Sequence, residues 1–248
     1  LALIRSKDWE GIDKFLHKFQ QAVRSLKFLP VPVVGAPSGM AIGGGFEVLL
    51  HSDKIVAHSN SVLGLVESGV GLIPGGGGVK ETYLRCFEKL GNQDDAAWKT
   101  WMQIGYGQTG TSPEKSSELF YYLSERDQTE MNRDYLINSA ISSIKEINAL
   151  GYKAPELKTV SLPGNSILKK MNEFMDNGIE KGLFYEHDKT VAMQVASVVV
   201  NNKEDKILLL DEDELFNRER EAFINLAKTQ PTLDRISALI EKGINLRN

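Results

Sequence analysis

Two acidic residues stand where this chain could do proton chemistry. Glu47 follows Gly43-Gly44-Gly45-Phe46, and Glu67 closes the run Leu63-Gly64-Leu65-Val66. Both fall between Gly35 and Gly78, a stretch that holds twelve of the chain's 22 glycines. Glycine serves where a backbone must turn sharply or let another group approach, and it weakens ordinary helix and strand interiors. Its density here predicts a backbone shaped around something. Consecutive glycines opening a helix would aim N–H groups at an anion, and a glutamate in an apolar, glycine-lined turn is costly to bury without a partner. The pattern reads as an anion-stabilising turn with two carboxyls beside it to move protons. Each acid alone also has a plainer reading: Glu47 as an acid favoured by the helix dipole, Glu67 as a solvated loop acid.

Other chemical patterns fall away. Gly105 to Gly110 fits G-x-G-x-x-G, but a dinucleotide site needs a buried strand before it. The preceding Ala96–Met102 reads as helix, so a plain loop is expected. The glycines at 75–78 lack the Gly-Lys-Ser/Thr ending of a phosphate-binding loop, which leaves Lys80 without that role. His51 and His58 lie seven apart around a strand with no cysteine nearby, which argues against a metal site. His17 is expected on the surface, and His187 as a surface or capping residue. The lone Cys86 precludes an intrachain disulfide and suits a reducing compartment.

The elements that must position Glu47 and Glu67 follow from the spacing of apolar residues. Residues 8–28 place Ile12, Phe15, Leu16, Phe19, Val23 and Leu26 on one helical face, with Asp8 as N-cap. Pro30 and Pro32 end that helix, and 31–36 reads as a short buried strand. A helix opens after Gly45, a second strand covers 54–58, and Val62–Leu65 continues extended. Pro74 and four glycines then launch a second helix at Val79. Strand, glycine turn and helix in repetition predict an α/β class. Beyond Leu84 the chain reads as mainly helical: 94–103 with Trp98 and Trp101 in the core, a start at Ser112-Pro113, and 130–150. A connector over 154–164 precedes helical runs near 166–181, 185–200, 211–228 and 231–243.

Composition sets the bounds. With 248 residues, 42% hydrophobic and 25% charged, the chain is ordinary globular protein. A net charge of −4 gives no basic footprint for nucleic acid. No apolar run approaches the roughly 18 residues of a membrane span, and no secretory signal opens the chain. A cytoplasmic location is the expectation. The first residue is leucine, so the chain reads as starting inside a longer polypeptide.

Ala41-Ile42-Gly43-Gly44-Gly45-Phe46-Glu47, Ser52-Asp53, Leu63-Gly64-Leu65-Val66-Glu67 and Gly71-Leu72-Ile73-Pro74-Gly75-Gly76-Gly77-Gly78 together resemble the signature of the crotonase (enoyl-CoA hydratase/isomerase) superfamily, over about residues 12–125. The resemblance implies a ββα spiral core, lacking its first strands, over 1–125 and a mainly helical region over 126–248. It implies that Glu47 and Glu67 are the two catalytic glutamates, that Gly44, with Gly43 beside it, offers a backbone donor to a thioester oxygen, and that acyl-CoA is the substrate. Retention of both acids points to a hydratase over a double-bond isomerase, with a non-catalytic docking module as the other alternative. No metal or redox cofactor is implied for this chain. Arg218 to Phe223, Tyr185-Glu186-His187-Asp188, Asp234-Arg235-Ile236 and Lys242 to Asn248 resemble the end of bifunctional 3-hydroxyacyl-CoA dehydrogenases. NAD would then serve only a dehydrogenase part outside these residues. The strands and oxyanion loop that the family places before the first helix here would also lie outside them, and either self-association or contact with that upstream part is expected.

Overall fold

A computed structural model describes residues 1–248. After a short helix α1 (Ala2–Arg5), helix α2 (Trp9–Lys27) begins where the Asp8 carboxylate accepts the Gly11 N–H at 2.9 Å. It buries Ile12, Leu16 and Val23 as the spacing requires. The face is not wholly apolar: Phe15 is 65% exposed and Gln20 is fully buried.

Eight short strands follow the glycine-rich plan. Strand β1 (Val34–Gly35) pairs in parallel with β3 (Lys54–His58), Val34 opposite Lys54, as expected for the stretches 31–36 and 54–58. Strand β6 (Gln128–Glu130) adds to the other edge of β3. A second sheet orders β2 (Met40–Ile42), β4 (Val62–Gly64) and β5 (Thr109–Gly110), with β2 and β4 parallel and β5 antiparallel. Between them stand helix α3 (Gly44–Leu50), a 3-10 turn over Glu67–Val70 and helix α4 (Gly78–Leu90). Helix α5 (Gln93–Gly105) is capped by Asn92, and α6 (Pro113–Glu118) by Ser112 with Pro113 in its first turn. Helix α7 (Leu136–Ala149) and α8 (Ser166–Glu180) flank the strand β7 (Thr159–Leu162). Helix α9 (Glu186–Val199) leads to β8 (Leu208–Asp211), which pairs antiparallel with β7. Helices α10 (Glu212–Ala227) and α11 (Gln230–Lys242) close the chain.

Several sequence expectations are corrected. The loop expected at 105–110 ends in β5, because Gly64 lets the chain come within contact of Gln108 and Thr109. The helix expected over 130–150 starts six residues late, after β6 and a 3-10 turn at Arg133–Tyr135. The connector at 154–164 contains β7, whose Val160 and Leu162 are core residues. His187 is neither on the surface nor a cap. It is buried, with Nε2 2.9 Å from the Thr232 hydroxyl. One hydrophobic core runs from Ile4 to Ile236 and takes Phe46, Ile55, Leu63, Tyr83, Trp101, Val195 and Leu215 from elements along the whole chain. The C-terminal helices thus pack on the same core as the glycine-rich elements, and this brings residues near position 220 to the turns around 45 and 77.

Candidate active site

The backbone decides the site before any side chain does. Gly43 caps α3 at φ +56°, ψ −134°, a conformation that disfavours any residue with a Cβ. Gly43 gives its N–H to the Gly64 carbonyl at 2.9 Å, which ties the start of α3 to the end of β4. The Gly43 N–H is thereby taken up, and the part of Gly43, placed with Gly44 in the expected oxyanion turn, is to shape that turn. The N–H groups of Gly44 and Gly45, both exposed, meet no acceptor within the protein. These are the free donors of the turn.

Glu47, in the first turn of α3, is 3% exposed. Its Oε1 accepts the N–H groups of Gly76 at 2.7 Å and Gly78 at 2.9 Å. The second glycine cluster exists for this approach: a Cβ on Gly76 would lie 2.2 Å from the Phe19 ring and 3.0 Å from Glu47 Oε2. Oε2 accepts no hydrogen bond and lies on the Gly44 side, 4.0 Å from where a Gly44 Cβ would stand. Burial raises the Glu47 carboxyl above the usual carboxylate range, the charge of Glu67 raises it further, and the Gly78 and Gly76 N–H groups oppose both.

Glu67 opens the 3-10 turn that Gly71 closes at φ +79°. Its Oε1 lies 3.3 Å from where a Gly43 Cβ would stand, and its Oε2 is buried without a hydrogen-bond partner. Burial also raises this carboxyl, against the backbone N–H groups of Glu67 and Val66. The two acids and the free glycine donors thus meet at one turn. A partly proton-holding pair beside N–H donors can give and take protons next to a developing oxyanion. Against the Glu67 turn lies a cavity of about 370 Å³, walled by Val66, Ser68, Trp101, Met102, Phe174 and Phe184.

Two contributors escape the motif. Gln20 donates from Nε2 to the carbonyls of Gly75 and Phe216, both at 2.9 Å, and its Oε1 accepts from Arg220 at 2.7 Å. Glu219, fully buried on α10, accepts the N–H groups of Gly77 at 2.9 Å and Lys80 at 2.6 Å. A signal for both is in the sequence, for each is a polar residue at a core position of an amphipathic helix. Gln20 follows Leu16 by four, and Glu219 follows Phe216 by three. His51 needs no metal: burial lowers its pKa to about 4, and the neutral ring lies with Nδ1 2.7 Å from the Glu47 carbonyl, the tautomer following from that bond.

Residues 6–93 match the family model described as enoyl-CoA hydratase/isomerase. A Bacillus subtilis protein named "Probable 3-hydroxyacyl-CoA dehydrogenase" is 34% identical over 245 residues, which are 99% of this chain and 31% of that protein. A Rickettsia prowazekii protein named "Putative fatty acid oxidation complex trifunctional enzyme" is 29% identical over 240 residues, 97% of this chain and 30% of that protein. The chain spans about a third of the length of these curated relatives. Among solved structures, an enoyl-CoA hydratase from Mycobacterium avium subsp. paratuberculosis K-10 superposes with a TM-score of 0.53 at 16% identity, over 91% of this chain and 70% of that one. At that identity the likeness speaks for the fold.

Proposed function

We propose that this chain, which belongs to the crotonase superfamily, adds water across the double bond of a trans-2-enoyl-CoA to give a 3-hydroxyacyl-CoA. The observation that carries the reading is the meeting of the Glu47 and Glu67 carboxyls at the turn where the Gly44 N–H is free. In the reaction an O–H bond of water breaks as its oxygen bonds Cβ, and a proton is delivered to Cα. Charge gathers meanwhile on the thioester oxygen. Glu47 takes the proton from water, Glu67 supplies the one for Cα, and Gly44 donates to the oxygen. A single such donor is worth about 3–4 kcal/mol in the transition state. Both carboxyls are raised by burial, which suits groups that must alternate between protonated and ionised forms near neutral pH.

The names of the relatives support fatty acid oxidation as the setting, and one of them supports a 3-hydroxyacyl-CoA dehydrogenase as the activity that takes up the product elsewhere in a longer polypeptide. The test is the product. With crotonyl-CoA in ¹⁸O-labelled water, the reading requires label at C3 of a 3-hydroxybutyryl-CoA. Migration of a 3-enoyl double bond without incorporation of label would assign the site to an isomerase instead.

A further inference from the structure

Four backbone N–H groups at the start of α4 are shared between two buried carboxylates. Glu47 takes those of Gly76 and Gly78, and Glu219, from a helix 139 to 142 residues farther along the chain, takes those of Gly77 and Lys80. The turn cannot carry side chains at these points: Gly77 sits at φ +100°, and a Cβ there would lie 2.7 Å from both His51 and Phe216. We propose that Glu219 is a positioning residue of the site, which fixes the glycine turn that holds Glu47 and links its own proton affinity to that of Glu47 by occupying the same helix end. The proposal rests on the reading of Glu47 as a proton-transfer group.

Three observations favour linkage over a merely structural acid. Each Glu219 oxygen accepts one N–H, and these two bonds favour the ionised form against burial and the charge of Glu47, which raise the carboxyl. The positive end of a helix favours negative charge, but two carboxylates at one end repel each other. The surroundings offer little screening. From α3 the facing groups are Glu47 itself and the neutral ring of His51. From α4 it is Lys80, whose ammonium is turned to Glu81 and Glu212. From α2 it is Gln20, which is uncharged. Burial and the charge of Glu47 raise the Glu219 carboxyl, while the Lys80 and Gly77 N–H groups and the Lys80 charge oppose them.

The sign follows. Removing the charge at 47 removes a repulsion on ionised Glu219, so Glu219 should lose its proton at lower pH. The experiment titrates the Glu219 carboxyl carbon by NMR in the full-length protein with ¹³C-labelled glutamate, the resonance being assigned by its loss in Glu219→Gln. In Glu47→Gln the Glu219 midpoint should move down by about 1 pH unit. In Glu47→Asp, which keeps the charge one methylene farther off, it should fall between wild type and Glu47→Gln. Where crotonyl-CoA hydration is measurable, Glu219→Gln should alter kcat while KM stays within about twofold. An unshifted Glu219 midpoint in both variants overturns the proposal, as does one in Glu47→Asp alone should Glu47→Gln fail to fold. Because the NMR titration needs no turnover, absence of hydration in the wild type would count against the hydratase reading and leave the linkage result standing.

Discussion

Glu47 and Glu67 lie on opposite sides of one glycine turn. Glu67 Oε1 is 3.3 Å from the point where a side chain on Gly43 would begin, and Glu47 Oε2 is 4.0 Å from the same point on Gly44. A side chain on Gly43, at φ +56°, would press on Glu67, whereas one on Gly44 would meet only ordinary contacts. Glu47 is buried and Glu67 half-buried, and neither has a cationic partner among its hydrogen bonds. This arrangement costs folding free energy, and that cost can be measured.

Glu47→Gln should raise stability at neutral pH. A carboxyl whose folded pKa is raised contributes most below the unfolded value of about 4.3, and that contribution is lost as pH rises through the folded value. Relative to wild type, the Gln variant should therefore gain melting temperature progressively from about pH 4.5 upward and level off above the folded pKa of Glu47. About 1 kcal/mol corresponds to 2–4 °C for a chain of this size. Thermal melts at several pH values check it, and a pH-independent difference would contradict the buried-acid account.

A network of two lysines and two glutamates anchors the other side of α4. Glu212 accepts Lys27 Nζ at 2.6 Å and Lys80 Nζ at 3.3 Å, and Glu81 bonds the same two lysines. Lys80, Glu81 and Glu212 are buried. Glu212→Gln leaves one ammonium uncompensated and should cost about 3–5 kcal/mol, read as a lower urea midpoint. The lysines hold Glu81 well below the usual range and Glu212 below it, in both cases against burial, which works the other way. Their stabilisation is present above the unfolded carboxylate pKa and is lost as pH falls through the folded values. The deficit of the variant should shrink accordingly in acid.

Gly77→Ala should cost about 2 kcal/mol or more, the sum of left-handed strain and overpacking against His51 and Phe216. Gly105→Ala is the control. Its Cβ would meet nothing within 4 Å and its φ is not positive, so it should be neutral or slightly stabilising. Chemical denaturation of the two variants side by side makes the comparison.

What the sequence could and could not reveal follows from the range of the forces involved. The apolar spacing of α2, the glycine caps of α3 and α4, and the strands around Val34 and Ile55 are local and were legible. Strands β2 and β5 were not, because two or three residues paired through backbone alone leave no side-chain pattern. The motif brought Glu47 and Glu67 together on the page, yet nothing local says that Gly76 and Gly78 hold Glu47. Contacts such as Gly77 to Glu219, 142 residues apart, arise only from the packing of α10. His187 misled for the same reason: its partner Thr232 lies 45 residues on, and the ring looked like a helix start when only its own neighbours were considered.

The most direct measurement of the central claim is crotonyl-CoA hydration by the full-length protein with Glu47→Gln, Glu67→Gln and both together. Each single change should lower kcat by about 10²–10⁴-fold, as expected for general acid–base groups. The double variant should lose far less than the product of the single losses, because the two carboxyls act as one unit in the addition. Oxidation of 3-hydroxyacyl-CoA by NAD, where the full-length protein performs it, should be unaffected. Hydration within threefold of wild type in either single variant would make that carboxyl a structural acid and contradict the mechanism.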